Sequence, residues 1–239
     1  MIESPQNEKL KLVRKLRERK YREREAAFIT EGEDLVEAGL AAAVEPLFVL
    51  SVPGSGLGGE KVEPELLASV SSLGSGTRAI AVWPQSWAEP GGSPCLYLHG
   101  VADPGNVGAI VRTAHALLGG TVVLGPGCAD PFGPKAVRAS MGSIFGQAVA
   151  RGEVGETPAP RAALVAHDGK PLPALEGAAT LCLGAERDGL PGDVLAACAD
   201  QVTIVLRDGG AESLNVAAVA AICAERISSL AMPEAGPDA

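Results

Sequence analysis

At 239 residues and 46% hydrophobic, the chain can bury a sizeable core as one large or two small domains. No apolar run approaches about 18 residues, and no hydrophobic segment opens the sequence. A membrane-spanning or secreted protein is therefore disfavoured, and a cytoplasmic one is expected. The formal net charge of −9 opposes a diffuse contact with nucleic acid, but nine of the twenty basic residues fall within residues 1–30 against five acids. That leaves a basic arm of net +4 on a body of net −13.

Along the chain, Ser4-Pro5 reads as a helix N-cap followed by proline at the first helical position. Leu10, Val13 and Leu16 then recur at helical spacing among Lys9, Lys11, Arg14, Lys15, Arg17, Arg19, Lys20, Arg22 and Arg24. The result is an amphipathic basic helix. It is either a solvated face laced by pairs with Glu18 and Glu23, or a nucleic-acid contact through Lys11, Arg14, Lys15, Arg17, Arg19 and Arg22. Strands follow at 27–30, 46–51 and 78–83, with helices at 33–43 and 63–72, a small α/β domain. Gly54-Ser-Gly56-Leu-Gly-Gly59 matches the spacing of a dinucleotide fingerprint after a strand. Pro64 prevents a helix from starting at the third glycine, and no acidic residue ends the next strand, so a flexible connection accounts for these glycines.

Pro84-Gln-Ser-Trp-Ala-Glu-Pro-Gly-Gly-Ser-Pro94 is a Pro/Gly/Ser cluster with strands on both sides, the mark of a linker. We place the domains at 1–85 and 94–239, joined by residues 86–93. In the second domain, strands near 95–99, 121–124, 162–166, 180–184 and 201–206 alternate with helices near 106–118, 134–140, 190–198 and 214–230, the pattern of a parallel α/β sheet. Residues 231–239 read as a frayed tail. The five cysteines are odd in number, widely spaced and without a C-x-x-C pair, which predicts buried, reduced thiols.

Three strand-to-helix turns stand out. Cys95-Leu-Tyr-Leu-His99 runs into Asp103-Pro-Gly-Asn-Val-Gly-Ala-Ile-Val-Arg-Thr113, Thr180-Leu-Cys-Leu183 into Gly184-Ala-Glu-Arg-Asp-Gly-Leu190, and Val202-Thr-Ile-Val-Leu206 into Ser213-Leu-Asn-Val216. Loops leaving one edge of a parallel sheet converge on one crevice. Asn106-x-Gly108-x3-Arg112, Gly184-x-Glu186-x2-Gly189-Leu190 and Ser213-Leu-Asn-Val216, in this order, resemble the three motifs of the SpoU/TrmH branch of the SPOUT RNA methyltransferases. Pro134 to Phe145 is similar to the family's middle region, and residues 4–36 to the N-terminal substrate-binding domain of its longer members.

The resemblance implies an L30e-like α/β domain followed by a parallel α/β domain whose C-terminal part is a trefoil knot, an exception to the rule against threaded chains. It implies transfer of a methyl group from S-adenosylmethionine to a ribose 2′-hydroxyl of RNA, with ribosomal RNA favoured over transfer RNA, by a homodimer paired through the C-terminal domain. Leu124, Gly125, Gly184, Val205, Leu206 and Leu214 would hold the cofactor. Arg112 would be the family's base, although a guanidinium gives up a proton reluctantly and suits a clamp on phosphate and forming alkoxide better. Asn106, Ser213 and Asn215 would orient the ribose, and Glu186 would offset the sulfonium charge or fix the loops. Taken singly, Ser213 is equally a helix N-cap and Asn215 a first-turn residue. His99, at a strand end beside Asp103, is the rival base. The chain departs from the family pattern at Arg187-Asp188 and at Val205-Leu-Arg207, where cofactor contacts or added RNA contacts are both open. A fold that grips RNA without catalysis and a nucleotide-dependent oxidoreductase are the competing readings; the intact motifs oppose the first and the broken glycine fingerprint the second.

Overall fold

The computed structural model describes residues 1–73 and 76–231; the expected tail beyond 231 lies outside the described residues. Eight α-helices are described: α1 Glu8–Lys15, α2 Arg19–Glu25, α3 Glu33–Ala41, α4 Pro64–Val70, α5 Pro104–Leu117, α6 Pro134–Ala139, α7 Gly192–Ala196 and α8 Val216–Ala231. Strands β1 Ala27–Glu31, β2 Phe48–Ser51, β3 Glu60–Lys61 and β4 Ala79–Pro84 form a four-stranded sheet in the order β1-β4-β2-β3, antiparallel except for β2 beside β3. Strands β5 Cys95–Leu98, β6 Val122–Leu124, β7 Val149–Arg151, β8 Arg161–Leu164, β9 Thr180–Leu183 and β10 Asp200–Val202 form a parallel sheet in the order β10-β8-β9-β5-β6-β7.

The period-two alternation of strand side chains decides which core each face serves. In the small sheet, Ala27, Ile29, Leu50, Ile80 and Val82 face the cluster of Leu10, Val13, Leu16 and Leu67. Their neighbours Phe28, Ala79, Ala81 and Trp83 face the other way, into the core that also holds Leu96, Leu98, Ile110 and Phe132 of the larger domain. Both faces of the small sheet are therefore buried, and β1 is covered along its whole length.

That shared core makes the two sheets one packed body. Phe28 stacks with Phe132 at 5.0 Å and Phe145 at 5.8 Å, and Trp83 meets Phe145 edge-on at 4.7 Å. Of the chain's four phenylalanines and two tryptophans, only Phe48 is not in this aromatic cluster. A Cβ on Gly39 would sit 2.5 Å from the Trp83 ring, so α3 approaches as closely as its backbone allows. The 86–93 linker is docked on the larger domain. Trp87 packs on Phe132 at 5.0 Å, the Ala88 N–H donates to the Val149 carbonyl, and the Thr121 N–H donates to that of Gly91.

The basic arm also departs from expectation. Asn7 caps α1, its Oδ1 accepting from the Lys9 N–H at 2.9 Å, so Ser4-Pro5 stays in the preceding turn. The single predicted helix breaks after Leu16. The cause is Arg22, whose guanidinium donates to the carbonyls of Leu16 at 2.9 Å and Arg17 at 2.7 Å, groups a continuing helix would have used itself. Its other edge pairs with Asp130 Oδ2 at 2.8 Å, with both side chains at most 6% exposed. Arg22, expected to contact RNA, is instead an interdomain strut that RNA cannot reach.

In the larger sheet two further boundaries differ. β10 stops at Val202, because Thr203 turns to bond Lys170 and Val165. β7, a three-residue edge strand too short to carry a periodic signal, was not anticipated. All five cysteines are free thiols; Cys95, Cys182 and Cys223 are buried, whereas Cys128 and Cys198 are only partly so.

Removing one partner of a buried, hydrogen-bonded ion pair typically costs about 3–5 kcal/mol. Arg22→Ala should therefore lower the unfolding free energy by about that amount in urea titrations. A loss no larger than that of an exposed lysine would place Arg22 at the surface.

Candidate active site

The larger sheet contains a topological switch. From β5 the chain builds outward through β6 and β7, then crosses to β8 on the opposite side, returns to β9 beside β5 and ends at the β10 edge, so the direction of winding reverses between β5 and β9. Ligand crevices of doubly wound sheets open at the carboxyl ends of the strands at such a point. The loops that leave β5 and β9 there carry the first two motifs.

After β5, Asp103 caps α5 by accepting from the N–H groups of Gly105 at 2.6 Å and Asn106 at 3.3 Å. The Lys135 ammonium, 2.9 Å from Asp103, and the Gly105 N–H hold this carboxyl below its ordinary pKa. Pro104 occupies the first helical turn, where a missing N–H costs nothing. Asn106 is thus fixed at the mouth of the helix. Two residues on, a Cβ at Gly108 would lie 2.2 Å from the Ala136 carbonyl oxygen, so glycine is required for α5 to cross α6.

After β9, Ala185 and Gly189 exchange backbone hydrogen bonds at 3.1 and 3.0 Å, which closes a tight loop with Glu186-Arg187-Asp188 at its tip. Gly189 supplies the positive φ of 67°, and a Cβ on Gly184 would strike the Gly189 backbone at 2.3 Å. The third motif ends at Asn215, whose Oδ1 accepts from the Ala217 N–H at 2.9 Å. Asn215 is therefore the cap of α8. Ser213, the alternative cap, lies outside the helix and lines the cleft described next.

The three motifs close on one another. Asn106 Nδ2 donates to Glu186 Oε1 at 2.7 Å, and Asn215 Nδ2 donates to the same oxygen at 3.1 Å and to Asn106 Oδ1 at 3.0 Å. On one side of this triangle lies a cleft of about 300 Å³ with apolar walls that include Leu164, Leu183, Leu190, Leu195, Ile204, Leu206 and Leu214. On the other, a crevice of about 250 Å³ runs between Gly100–Asp103 and the 185–188 loop. The two share Ala185 to Asp188 and Val216.

Of the expected cofactor residues, Gly184, Leu206 and Leu214 line the cleft. Val205 does not: its side chain faces solvent at 82% exposure. Leu124 and Gly125 line a separate depression beyond β6, because β6 lies on the far side of β5 from the strands that wall the cleft. The β8 end, Leu164-Val165-Ala166, forms a wall that was not anticipated. Its signal was present, since it is an apolar strand feeding the same edge. Arg187 and Asp188 line both hollows, while Arg207 lines neither. Arg112 lies on α5, exposed, and among the described residues it has no hydrogen bond or ion pair. The rival base, His99, bonds Tyr97, its Nδ1 3.3 Å from a phenol that burial pushes up to about 12, and it lines neither hollow.

This arrangement matches a known family. Residues 93–225 match the model of the SpoU rRNA methylase family, and residues 7–81 that of an MRM3-like substrate-binding domain. The chain belongs to the SpoU rRNA methylase family. It is 32% identical over 154 residues to the 23S rRNA (guanosine(2553)-2′-O)-methyltransferase RlmP of Bacillus subtilis, a match covering 60% of this chain and 62% of that protein. The chain thus spans somewhat less than two thirds of the curated relatives it matches. A Porphyromonas gingivalis structure ascribed to the TrmH family of RNA methyltransferases superposes with a TM-score of 0.80 at 30% identity, over 96% of this chain and 99% of that one. The fold is also that of AviRb from Streptomyces viridochromogenes, solved with AdoMet, with a TM-score of 0.82 at 21% identity over 94% and 98% of the two chains.

Proposed function

We propose that the chain transfers a methyl group from S-adenosylmethionine to a ribose 2′-hydroxyl of RNA, with ribosomal RNA favoured over transfer RNA. The observation that carries this is the Asn106–Glu186–Asn215 triangle set between an apolar cleft and a polar crevice at the sheet's switch point. RlmP, a 23S rRNA 2′-O-methyltransferase, supports the choice of substrate. The cytoplasm is the matching compartment.

The residues present fit the cofactor. Leucine walls suit a nucleobase, and the turns at Gly184 and Leu214 bring backbone polar groups close to it. The Glu186 carboxylate sits where it can offset a sulfonium. When bound, S-adenosylmethionine supplies an electrophilic methyl group. The chain must then align a weak nucleophile and stabilise negative charge growing on its oxygen. Asn106 orients the ribose from the crevice side. Arg112, exposed and unengaged, clamps the adjacent phosphate and the forming alkoxide, and the hydroxyl proton leaves to that phosphate or to water. The trefoil knot implied by the family likeness belongs to the same proposal.

The protein is further proposed to pair as a homodimer through the C-terminal domain, where Leu117 of α5 and Ile222 of α8 remain more than a third exposed although the two helices pack together. A monomer at micromolar concentration in light scattering would contradict this. RNA contact is assigned to Lys11, Arg14, Lys15, Arg17 and Arg19.

Arg112→Ala should lower methyl transfer by about 10²–10³-fold, the usual loss for a donor to developing charge, with calorimetric affinity for S-adenosylmethionine unchanged. Glu186→Ala, which frees both asparagine turns, should weaken cofactor binding as well. Near-wild-type activity in Arg112→Ala would remove that residue from the mechanism. Replacing Arg14, Lys15, Arg17 and Arg19 by glutamine should flatten the slope of log affinity for RNA against log salt, each phosphate contact contributing roughly 0.7–0.9. An unchanged slope would make the arm a solvated face.

A further inference from the structure

A second depression, of about 460 Å³, opens at the same carboxyl edge of the sheet, past β6 and β7, and the proposed methyl transfer does not use it. It adjoins the active site. The Gly125-Pro126-Gly127 turn that lines it is tied to the loop leading to Asp103: the Gly100 N–H donates to the Pro126 carbonyl, and the Ala129 N–H to that of Val101, both at 2.9 Å. At a strand spacing of about 4.8 Å, β7 lies roughly 10 Å from β5 along the edge, within reach of a neighbouring nucleotide.

Its side chains suit a nucleotide. The Arg151 guanidinium lies over the Trp87 indole at 4.2 Å, and Trp87 is in turn held edge-on by Phe132. Arg151 is half exposed, so the plane backed by the indole also meets solvent. Unpaired bases stack on aromatic rings and on guanidinium planes, and such contacts tolerate any base because each has a π-face. Arg19 stands beside this shelf. Arg19 and Arg151 both donate to Glu23 Oε1, at 2.9 and 3.2 Å, so two guanidiniums share one carboxylate, and Glu153 brings a second carboxylate to the rim. Asp130, which also borders the depression, is matched one to one by Arg22.

We propose that this depression holds an unpaired nucleotide of the substrate RNA flanking the one that is methylated, with its base on the Arg151–Trp87 shelf and its phosphate at Arg19. The proposal rests on the RNA methyltransferase assignment, and the experiment separates the two. Fluorescence anisotropy of labelled single-stranded RNA decamers is measured with the full-length protein, with Arg151→Met, which keeps an aliphatic stem over the indole, and with Trp87→Leu. Both variants should bind roughly 5- to 150-fold more weakly, the range for loss of one base stack, while calorimetric affinity for S-adenosylmethionine is unchanged. Because Trp87→Leu also loosens packing on Phe132, a decamer containing 4-thiouridine is photocrosslinked to the wild-type protein, with adducts expected on the peptides holding Trp87 or Arg151. Wild-type affinity in Arg151→Met, or adducts confined to other peptides, overturns the subsite. Weakening in Arg151→Met alone, with a shallower salt slope and Trp87→Leu as wild type, means a phosphate contact only and overturns it too. If the wild-type protein binds neither RNA nor S-adenosylmethionine, the underlying function fails, and the subsite with it.

Discussion

One carboxylate oxygen holds the candidate active site together. Glu186 Oε1 accepts from two amides that belong to turns 109 residues apart in sequence, and the two amides also bond each other. Exposed hydrogen bonds of this kind add little net stability, of the order of 1 kcal/mol each. Their effect is on geometry: they fix the mouths of α5 and α8 against the 185–189 loop, so the apolar cleft and the polar crevice keep a common wall. The arrangement exists only because β9 lies beside β5 with its loop leaving the same edge, which the parallel register of Leu98 with Leu183 ensures. Glycines complete it where side chains will not fit, Gly108 beneath α5 and Gly184 beneath the loop.

The second constraint is the aromatic junction between the sheets. Because Phe28 and Trp83 enter the same core as Phe132 and Phe145, the N-terminal domain is held at a set orientation to the active site. The Arg22–Asp130 pair locks the basic arm to the larger sheet, so the arm is held at a set angle to the crevice. Arg138 adds a further tie, reaching Ser72 at 2.9 Å and the buried Glu31 across the junction.

Much of this was legible in the sequence, and the failures share a cause. Strand identity followed from apolar runs bounded by glycine and proline, and the active-site turns from motif order, since both depend on neighbours within a few residues. The break in the basic arm did not, because it is set by Arg22, which has its ion-pair partner 108 residues away. Trp87 looked like a linker residue because proline, glycine and serine surround it, yet its packing partner Phe132 is supplied by another segment. Leu124 and Gly125 are expected at the cofactor wall from the family resemblance alone. Only the sheet order shows β6 on the far side of β5. The sequence reads Ser213 as a cap and Asn215 as a first-turn residue; the Ala217 N–H bonds Asn215 Oδ1, so the helix starts later and Asn215 caps it.

The proposed reaction is read most directly in its product. Purified protein, ribosomal RNA from cells lacking its gene, and S-adenosylmethionine with a labelled methyl group should yield label in alkali-resistant dinucleotides, because a methylated 2′-oxygen cannot attack its own phosphodiester. Label released with mononucleotides carrying a methylated base, or no transfer to any RNA despite bound cofactor, would contradict it.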